Sequence, residues 1–394
     1  MDEASTARRD RRSFLAPRVV GRDVELALLA ELLEAAAEGR GSMAFVVGEA
    51  GIGKSRLVEA TAAEARRRRG LPVLRGRAVQ AATPVAYRPV AEALCSLVRT
   101  GGGPARGVLA PFDAILGALI PDWRTDDTAP VDQSVVTMAE AVLRFLTATA
   151  AAHGCLLILE DLHWADPETL AIVEYLADNL AGEPVLCAVT WRTDERQSGL
   201  EVLRALDARR ASRTIALRRL DEGEVADMVS GCLGPGTVPD AVHALATPAE
   251  GVPFLVEELL ATALASGLLR PDGDGWLVSP GPSAVVPLTF LDTVRRRLTD
   301  VGPAPRSVLL AGALLGRRFE WRLLPSLTGL DEEATVAGLR AAIGQGLVEA
   351  DPDPALFRFR HALTRDAVLA DALPPERATV AARAHAAVEA AFPG

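Results

Sequence analysis

Four short apolar runs and the amphipathic stretches between them organise the first half of the chain. The apolar runs have the length of strands and lie at 43–47, 71–74, 155–159 and 185–190, and one more strand is predicted at 212–217. Stretches with helical spacing of their apolar residues lie at 25–34, 54–69, 131–152 and 167–181. Alternation of this kind predicts a parallel sheet with helices on both faces. The unbroken run 155–159 is typical of a strand that is covered on both sides.

The second half of the chain has few strand-like runs. Consecutive helices are predicted at 221–233, 239–246 and 253–268. A stretch rich in Gly, Pro and Asp follows at 270–287 and is typical of a linker. Further helices are predicted from Leu288 onward, and two short strand-like pieces, 347–349 and 356–360, flank Asp351-Pro352-Asp353-Pro354. Helices followed by a turn-linked pair of strands predict a winged-helix domain.

Composition and charge narrow the class of protein. A chain of 394 residues is long enough for two or three domains. The formal net charge of −10 argues against a broad basic surface for DNA or RNA. The chain begins without the apolar core of a signal peptide, and it contains no apolar run of about 20 residues. The sequence therefore predicts a cytoplasmic protein without membrane contact.

One eight-residue segment carries the strongest chemical signal. Gly48-Glu49-Ala50-Gly51-Ile52-Gly53-Lys54-Ser55 fits the pattern G-x-x-x-x-G-K-[ST] between a predicted strand and a predicted helix. The glycines let backbone N–H groups turn toward phosphate oxygens, and the helix N-terminus adds a positive end. Lys54 is expected to reach the β- and γ-phosphates, and the Ser55 hydroxyl is expected to bind Mg²⁺. The segment predicts a site for a purine nucleoside triphosphate, ATP with Mg²⁺.

Two acidic residues, Glu160 and Asp161, end the apolar run at 155–159. A phosphate loop of this type needs a carboxylate at the end of a neighbouring buried strand, where it holds the metal or its water. By position, Glu160 would coordinate Mg²⁺ and Asp161 would orient the attacking water. The reverse assignment of the two roles stays open.

The segments GEAGIGKS and LEDLHWAD together resemble the signal-transduction ATPases with numerous domains. Within that group the chain looks like the nucleotide-binding region of large LuxR-type (MalT-like) bacterial regulators. It is also similar to the ATPase modules of soluble adenylyl cyclases. The resemblance extends from about Val19 to the end of the chain.

This resemblance implies further nucleotide-binding residues. Gly21 and Arg22 lie in Val20-Gly21-Arg22-Asp23, which resembles the family motif whose backbone closes the base pocket. Pro253 lies in a segment that resembles the GxP motif, whose proline packs on adenine. Arg56, which follows the serine of the phosphate loop, is counted with this group.

The resemblance also implies two residues that sense the phosphates. Arg192 follows the fourth predicted strand, where the family places an arginine facing the γ-phosphate; a surface arginine is the alternative. His361 lies in Phe359-Arg360-His361-Ala362-Leu363, which resembles an element whose histidine senses the diphosphate. A purely structural histidine is the alternative there.

Pattern and resemblance together predict an α/β P-loop NTPase fold, a parallel sheet with helices on both faces, followed by a helical lid domain and a winged-helix domain. The predicted divisions are a flexible tail (1–17), a P-loop domain (18–218), a lid (219–280), a winged-helix-like domain (281–372) and the start of a helical repeat region (373–394). Full-length members of the resembled group continue into helical repeats and a LuxR-type helix-turn-helix, whereas this chain stops at Gly394. A fragment, a truncated product and a stand-alone relative are all open interpretations.

The predicted function is a nucleotide-driven switch. ATP would bind between the sheet domain and the lid, and slow hydrolysis to ADP would reset the switch. Joined to a C-terminal DNA-binding domain, such a module would control transcription. The resemblance implies self-association in the ATP state and an unidentified inducer or protein partner. The acidic balance and the lack of a recognition helix dense in Arg and Asn predict no direct DNA contact by this chain. Two alternatives stay open: a stand-alone AAA+-like ATPase and a winged-helix regulator that binds DNA itself.

Overall fold

The computed structural model divides the chain into two compact units. The described residues are 16–80, 85–124, 134–150, 153–193, 205–206, 209, 212–273, 275–279 and 286–391. The first unit comprises Val19–Arg218, and the second comprises Met1–Arg18 with Arg219–Gly394. The predicted subdivision of the second unit into a lid and a winged-helix domain near residue 280 stays a prediction.

A parallel sheet of five strands forms the centre of the first unit, as the sequence predicts. Its strands are β1 (Ser42–Gly48), β2 (Val73–Arg77), β3 (Cys155–Glu160), β4 (Val185–Arg192) and β5 (Arg213–Ala216). They lie in the order β2-β3-β4-β1-β5, and each neighbouring pair is parallel. The interior strands β1, β3 and β4 are buried along almost their whole length, which explains why their sequences are continuous apolar runs.

Helices cover both faces of this sheet. They are α1 (Asp23–Ala37), α2 (Lys54–Arg69), α3 (Arg88–Arg99), α4 (Asp113–Leu119), α5 (Val135–Ala150) and α6 (Pro167–Asn179). Successive strand residues point to opposite faces, so Phe45 packs with α3–α6 and Val46 packs with α1 and α2. α6 begins as predicted, because the Asp166 carboxylate accepts a hydrogen bond from the Thr169 amide and Pro167 takes the first helical position.

Helices α3 and α4 occupy a stretch for which the sequence predicted no element. α3 packs closely on β2: a Cβ atom at Gly76 would lie 1.7 Å from the carbonyl oxygen of Pro89, so this approach requires glycine. The carboxylate of Glu92 in α3 also accepts a hydrogen bond from the Arg77 amide at 3.3 Å. These contacts join residues of different elements, so the pattern of neighbouring residues does not predict them.

The second unit is mainly helical, as predicted. Its helices are α7 (Glu222–Leu233), α8 (Asp240–Ala246), α9 (Pro253–Ala265), α10 (Leu288–Val301), α11 (Pro303–Leu315), α12 (Leu324–Thr328), α13 (Glu332–Gly344), α14 (Ala362–Asp371) and α15 (Pro374–Ala391). At the start of α7, Asp221 and Glu224 exchange side-chain and backbone hydrogen bonds in a capping box. None of the helices in the described part of the chain has the length and hydropathy that a membrane span requires.

The linker predicted at 270–287 is wrong in its first part. Strand β6 (Leu269–Asp272) pairs antiparallel with β7 (Gly275–Val278) to form a hairpin, and Gly273 has φ +57° at the turn. Gly273 therefore lies in a tight turn, where glycine adopts the left-handed backbone conformation at low cost. Positions 280–285 of the predicted linker lie outside the described residues.

A second small sheet supports the predicted winged-helix arrangement. Its strands are β8 (Arg318–Glu320), β9 (Val348–Ala350) and β10 (Leu356–Phe359), in the order β8-β10-β9. Both pairings are antiparallel. The predicted strands at 347–349 and 356–360 are confirmed within one residue, whereas β8 lies in a stretch for which the sequence predicts helices. Phe319 and Phe359 from this sheet enter a core shared with α10, α11, α13 and α14.

Candidate nucleotide site

The predicted phosphate loop joins β1 to α2. β1 ends at Gly48, and α2 begins at Lys54 with Gly53 as its N-cap residue. Gly51 (φ +77°) and Gly53 (φ +101°) adopt left-handed conformations that disfavour residues with a Cβ atom. The loop leads directly into the N-terminus of a 16-residue helix, where N–H groups lack helical partners and carry the positive end of the dipole. This geometry suits a phosphate group.

Lys54 lies buried at the start of α2. The residue is 7% exposed, and its Nζ donates hydrogen bonds to Gly48 O at 2.9 Å and to Glu49 O at 2.8 Å. It is also the only lysine in the sequence, because the remaining basic residues among the 42 Lys and Arg are all arginines. The chain thus places a compact ammonium group at the phosphate loop alone. In the first turn of α2, Ser55 is exposed and Arg56 is half-buried.

The two predicted acidic residues lie at the end of β3, where both are buried and ion-paired. Glu160 is 3% exposed and accepts a hydrogen bond from Arg75 Nε at 2.6 Å. Asp161 is 7% exposed and accepts one from Arg77 Nε at 2.9 Å. Arg75 also contacts Glu59. Burial lowers the pKa of Arg75, but its hydrogen bonds and charge interactions with Glu160 and Glu59 outweigh that effect and raise the pKa above its usual value.

Asp161 is held in an uncommon backbone conformation. Its φ of +55° lies in the left-handed region, which costs a residue with a side chain about 1–2 kcal/mol. The Asp161 amide donates to the hydroxyl of Thr190, a buried residue of β4, at 2.9 Å. The sequence patterns do not predict Thr190 or the arginines of β2 as part of the site. Alternating Arg75 and Arg77 at the carboxyl end of β2 were an available signal, because carboxyl ends of parallel strands meet at one edge of the sheet.

The residues present suit a magnesium ion bound together with a nucleotide. The Ser55 hydroxyl and the Glu160 carboxylate are oxygen donors, which Mg²⁺ prefers. Among the residues that the structure describes, no group of three or more His, Cys, Asp or Glu side chains forms a metal site on its own. Magnesium commonly binds through one or two protein oxygens plus phosphates and waters, so a sparse ligand set fits. The assignment of Ser55 and Glu160 as ligands stays a prediction.

Arg192 ends β4 beside the phosphate loop. It is half-buried, and in the parallel pairing of β1 with β4 its Cα is the partner of Gly48. The next residue, Thr193, donates its amide to Gly48 O at 3.3 Å. This position fits the predicted sensor of the γ-phosphate, a role that stays a prediction.

Arg192→Ala is expected to reduce the preference for ATP over ADP by about tenfold, because a guanidinium facing the γ-phosphate contacts only ATP. Calorimetric titration of each nucleotide into the full chain measures the ratio of the two affinities. Arg213→Ala, in the exposed part of β5, is a matched control and should leave the ratio unchanged. An unchanged ratio in Arg192→Ala would remove this residue as a sensor.

Pro253 and His361 belong to the second unit. The carboxylate of Glu250, three residues before Pro253, contacts the segment that contains His361. Glu250 accepts hydrogen bonds from Arg219 Nη1 at 3.0 Å and from the Ala362 amide at 3.2 Å. Arg317 Nη1 lies 2.6 Å from the same carboxylate. His361 Nδ1 is 3.4 Å from Arg219 Nη2 and accepts from it, since a guanidinium can only donate. Glu250 thus lies at the positive end of α14, whose own N-cap residue His361 makes no side-chain cap.

The backbone around Glu250 is constrained by left-handed φ angles and by a close contact with Leu220. Glu250 has φ +51° and Gly251 has φ +76°, both in the left-handed region. A Cβ atom at Gly251 would lie 2.1 Å from Leu220 O, and the Leu220 amide donates to Gly251 O at 2.8 Å. Pro253 then begins α9 in a half-buried position. The GxP-like segment is therefore anchored to Leu220, close to the point where the chain enters this unit from the first.

Glu250→Gln is expected to destabilise the second unit by about 1–2 kcal/mol, because a neutral amide cannot balance two guanidinium charges. The side chains of Arg219 and Arg317 are 36% and 47% exposed, so solvent screening limits the loss of stability. Calorimetric thermal unfolding of the full chain measures this loss of stability. The control is Glu349→Gln, which removes a surface pair with Arg358 and should cost less than about 0.5 kcal/mol. Equal losses in the two variants would contradict this role of Glu250.

The structure places the predicted site residues in two groups. The first unit holds Gly21, Arg22, Gly48, Gly51, Gly53, Lys54, Ser55, Arg56, Glu160, Asp161 and Arg192. The second unit holds Pro253 and His361. Contact of each residue with a nucleotide stays a prediction.

Comparison with known proteins bears on the first unit most directly. Residues 18–189 match the family described as AAA ATPase domain. The match includes the phosphate loop and both acidic residues and ends within β4. An uncharacterized protein of Rhizobium meliloti (strain 1021) is 26% identical over 393 residues, covering 94% of this chain and 37% of the relative. The chain therefore spans little more than a third of that relative's length.

Solved structures support the fold. The Aeropyrum pernix ORC2 protein, in ADPNP–ADP complexes, has a TM-score of 0.52 at 15% identity and covers 98% of this chain and 99% of that chain. A STAND protein with a tetratricopeptide repeat sensor from Pyrococcus horikoshii has a TM-score of 0.36 at 15% identity, covering 95% and 46%. The first similarity supports a P-loop NTPase fold, a five-stranded parallel sheet flanked by helices with a helical C-terminal region. The second is too distant to carry an argument.

Proposed function

We propose that this chain, in which residues 18–189 match the AAA ATPase domain, is an ATP-binding and slowly hydrolysing switch module of a regulatory protein. The proposal rests on one observation, the phosphate loop together with two acidic residues. The loop, with left-handed Gly51 and Gly53, leads into α2, which begins with the sole lysine of the sequence. Two buried carboxylates, Glu160 and Asp161, lie at the end of β3, which is separated from β1 by β4 in the sheet. Phosphate binding, metal binding and water activation need these groups together at one edge of a sheet.

In this proposal, separate residues of the first unit bind the phosphates and the metal ion. The loop amides and Lys54 hold the β- and γ-phosphates, with Lys54 exchanging its contacts to Gly48 O and Glu49 O for phosphate oxygens. Ser55 and Glu160 would hold Mg²⁺, which when bound offsets negative charge on the phosphate oxygens.

Turnover depends on Asp161 in the same proposal. Asp161 orients a water and takes its proton as the water oxygen bonds to the γ-phosphorus and the bond to the bridging oxygen breaks, leaving ADP and phosphate. Because Arg77 occupies one oxygen of Asp161, the arrangement favours slow hydrolysis. A slow ATPase suits a switch whose state has to persist.

The regulatory role rests on the resemblance to LuxR-type regulators and is a proposal for the whole protein. In this view, Pro253 and His361 respond to the state of the nucleotide, and the second unit changes arrangement between the ATP and ADP states. Only contacts that differ between the two states can drive such a change. Control of transcription would then follow from a DNA-binding domain joined to this module.

Identification of the nucleotide that binds the purified protein tests the proposal. The full chain would be denatured, and released nucleotide would be identified by anion-exchange chromatography; titrations with Mg²⁺ and ATP, ADP or GTP would follow. We expect an adenine nucleotide and ATP binding. Absence of both would overturn the proposal, and a preference for GTP would correct the base. Light scattering with ATP and with ADP then tests whether self-association accompanies the ATP state.

A further inference from the structure

A buried arginine at the start of α1 bonds to the backbone of the phosphate loop and to the end of the first unit. Arg22 Nη2 donates to Ile52 O at 3.3 Å and to Arg218 O at 2.5 Å. Its Nη1 donates to Gly21 O at 3.3 Å and lies 3.7 Å from the Glu25 carboxylate. The side chain is 3% exposed.

The burial of this charge has a consequence for the backbone around it. An arginine side chain keeps its proton inside proteins, so acceptors must balance the charge. Three backbone carbonyl oxygens lie at hydrogen-bond distance from the guanidinium, and the carboxylate of Glu25 lies 3.7 Å from it. Each of these carbonyl groups is held pointing toward the guanidinium. Arg22 therefore orients peptide groups in addition to pairing with Glu25.

The contact with Ile52 O also determines the direction of the next N–H group. In a planar trans peptide unit, the C=O of one residue and the N–H of the next point in opposite directions. Ile52 C=O and Gly53 N–H belong to one such unit, so the Gly53 N–H is held facing away from Arg22. Gly53 is the N-cap of α2 with φ +101°, in the part of the loop whose amides would meet phosphate oxygens.

We propose that Arg22 is a positioning residue of the phosphate site. It holds the Ile52–Gly53 peptide so that the Gly53 amide faces the phosphates, and it ties this peptide to Arg218, the last residue of the first unit. The inference rests on the proposed ATP binding. The base pocket expected from this segment concerns its backbone, whereas the Arg22 side chain serves the phosphate loop.

The first test follows the Gly53 amide in the nucleotide-free protein. The full chain would be labelled with ¹⁵N-glycine, and the Gly53 resonance would be assigned with Gly53→Ala. Arg22→Lys and Arg22→Met are expected to shift or broaden this resonance, whereas Arg99→Met, at an exposed position of α3, should not. Circular dichroism checks folding, and Arg22→Lys, which keeps the positive charge, covers the case in which Arg22→Met fails to fold. A Gly53 resonance unchanged in both variants overturns the proposal.

The second test separates the phosphates from the base by using two probes, ATP and inorganic tripolyphosphate, each with Mg²⁺. We expect Arg22→Lys to weaken both affinities by about the same factor, roughly tenfold, because the lost contact concerns only the phosphate loop. A loss for ATP without a loss for tripolyphosphate would assign Arg22 to the base and overturn the proposal. Unchanged affinities for both probes would overturn it as well.

The two tests keep this inference apart from the proposed function. If the wild-type chain binds neither ATP nor tripolyphosphate, the proposed function fails, and the positioning of Gly53 toward phosphates fails with it. If the wild-type chain binds both probes and the Arg22 variants show no more effect than Arg99→Met, the proposed function stands and the role of Arg22 fails.

Discussion

Replacing Lys54 with alanine is expected to abolish ATP binding, with a loss of affinity of at least about 100-fold. The variant removes a charge-assisted contact to the two terminal phosphates, worth about 3 kcal/mol. Lys54 begins α2, and its Nζ donates to the loop carbonyls of Gly48 and Glu49, so alanine leaves the loop without this ammonium group. Calorimetric titration of the full chain with ATP and Mg²⁺ measures the loss.

The single lysine allows a second measurement on the wild-type protein. Among amines, a reagent such as trinitrobenzenesulfonate can modify only Lys54 and the amino terminus, so protection of the Lys54 amine by ATP would report contact at this one side chain. Lys54→Arg keeps the charge but not the compact ammonium, and we expect it to bind ATP weakly. ATP binding by Lys54→Ala with wild-type affinity would refute the proposed site.

Glu160→Gln and Asp161→Asn are both expected to keep ATP binding within a few-fold of wild type and to slow hydrolysis by about 100-fold. Each substitution keeps the size of the side chain and removes the charge that a metal ligand or a water-orienting base needs. Phosphate release at saturating ATP measures turnover, and titration measures binding. Slow hydrolysis with nearly unchanged ATP affinity would show that these residues act on the chemical step and not on phosphate binding by the loop.

Glu174→Gln is the matched control for the two acidic residues. Glu174 forms an exposed ion pair with Arg209 on the surface of the same unit, so its loss should leave turnover unchanged. Hydrolysis at the wild-type rate in both Glu160→Gln and Asp161→Asn would refute the assignment of the metal and water site. A slow rate in only one of them would settle which carboxylate acts on the reaction.

Local patterns predicted the parts of the fold that depend on neighbouring residues. The apolar run at 155–159 predicted β3, and Asp166-Pro167 predicted the start of α6, because burial on both faces and N-capping act within a few residues. The composition of the hairpin formed by β6 and β7 instead predicts a linker, since turns and linkers are both rich in Gly and Pro.

The candidate site divides in the same way. The phosphate loop and the two acidic residues could be found from the sequence, because the chemistry fixes residue types at a fixed spacing. The partners of these residues could not. Arg75 bonds to Glu160 across 85 positions, and Arg22 bonds to Arg218 across 196. Such pairs exist only once the sheet has brought distant segments together.

The two edge strands of the sheet limit what this molecule can pair with. β5 is only four residues long and begins with exposed Arg213. At the opposite edge, β2 carries Arg75 and Arg77, and the Glu92 carboxylate occupies the Arg77 amide. Short, charged and capped edges discourage the addition of a strand from another molecule, and so they protect against aggregation. We therefore expect any association between copies of the chain to use surfaces other than these two edge strands.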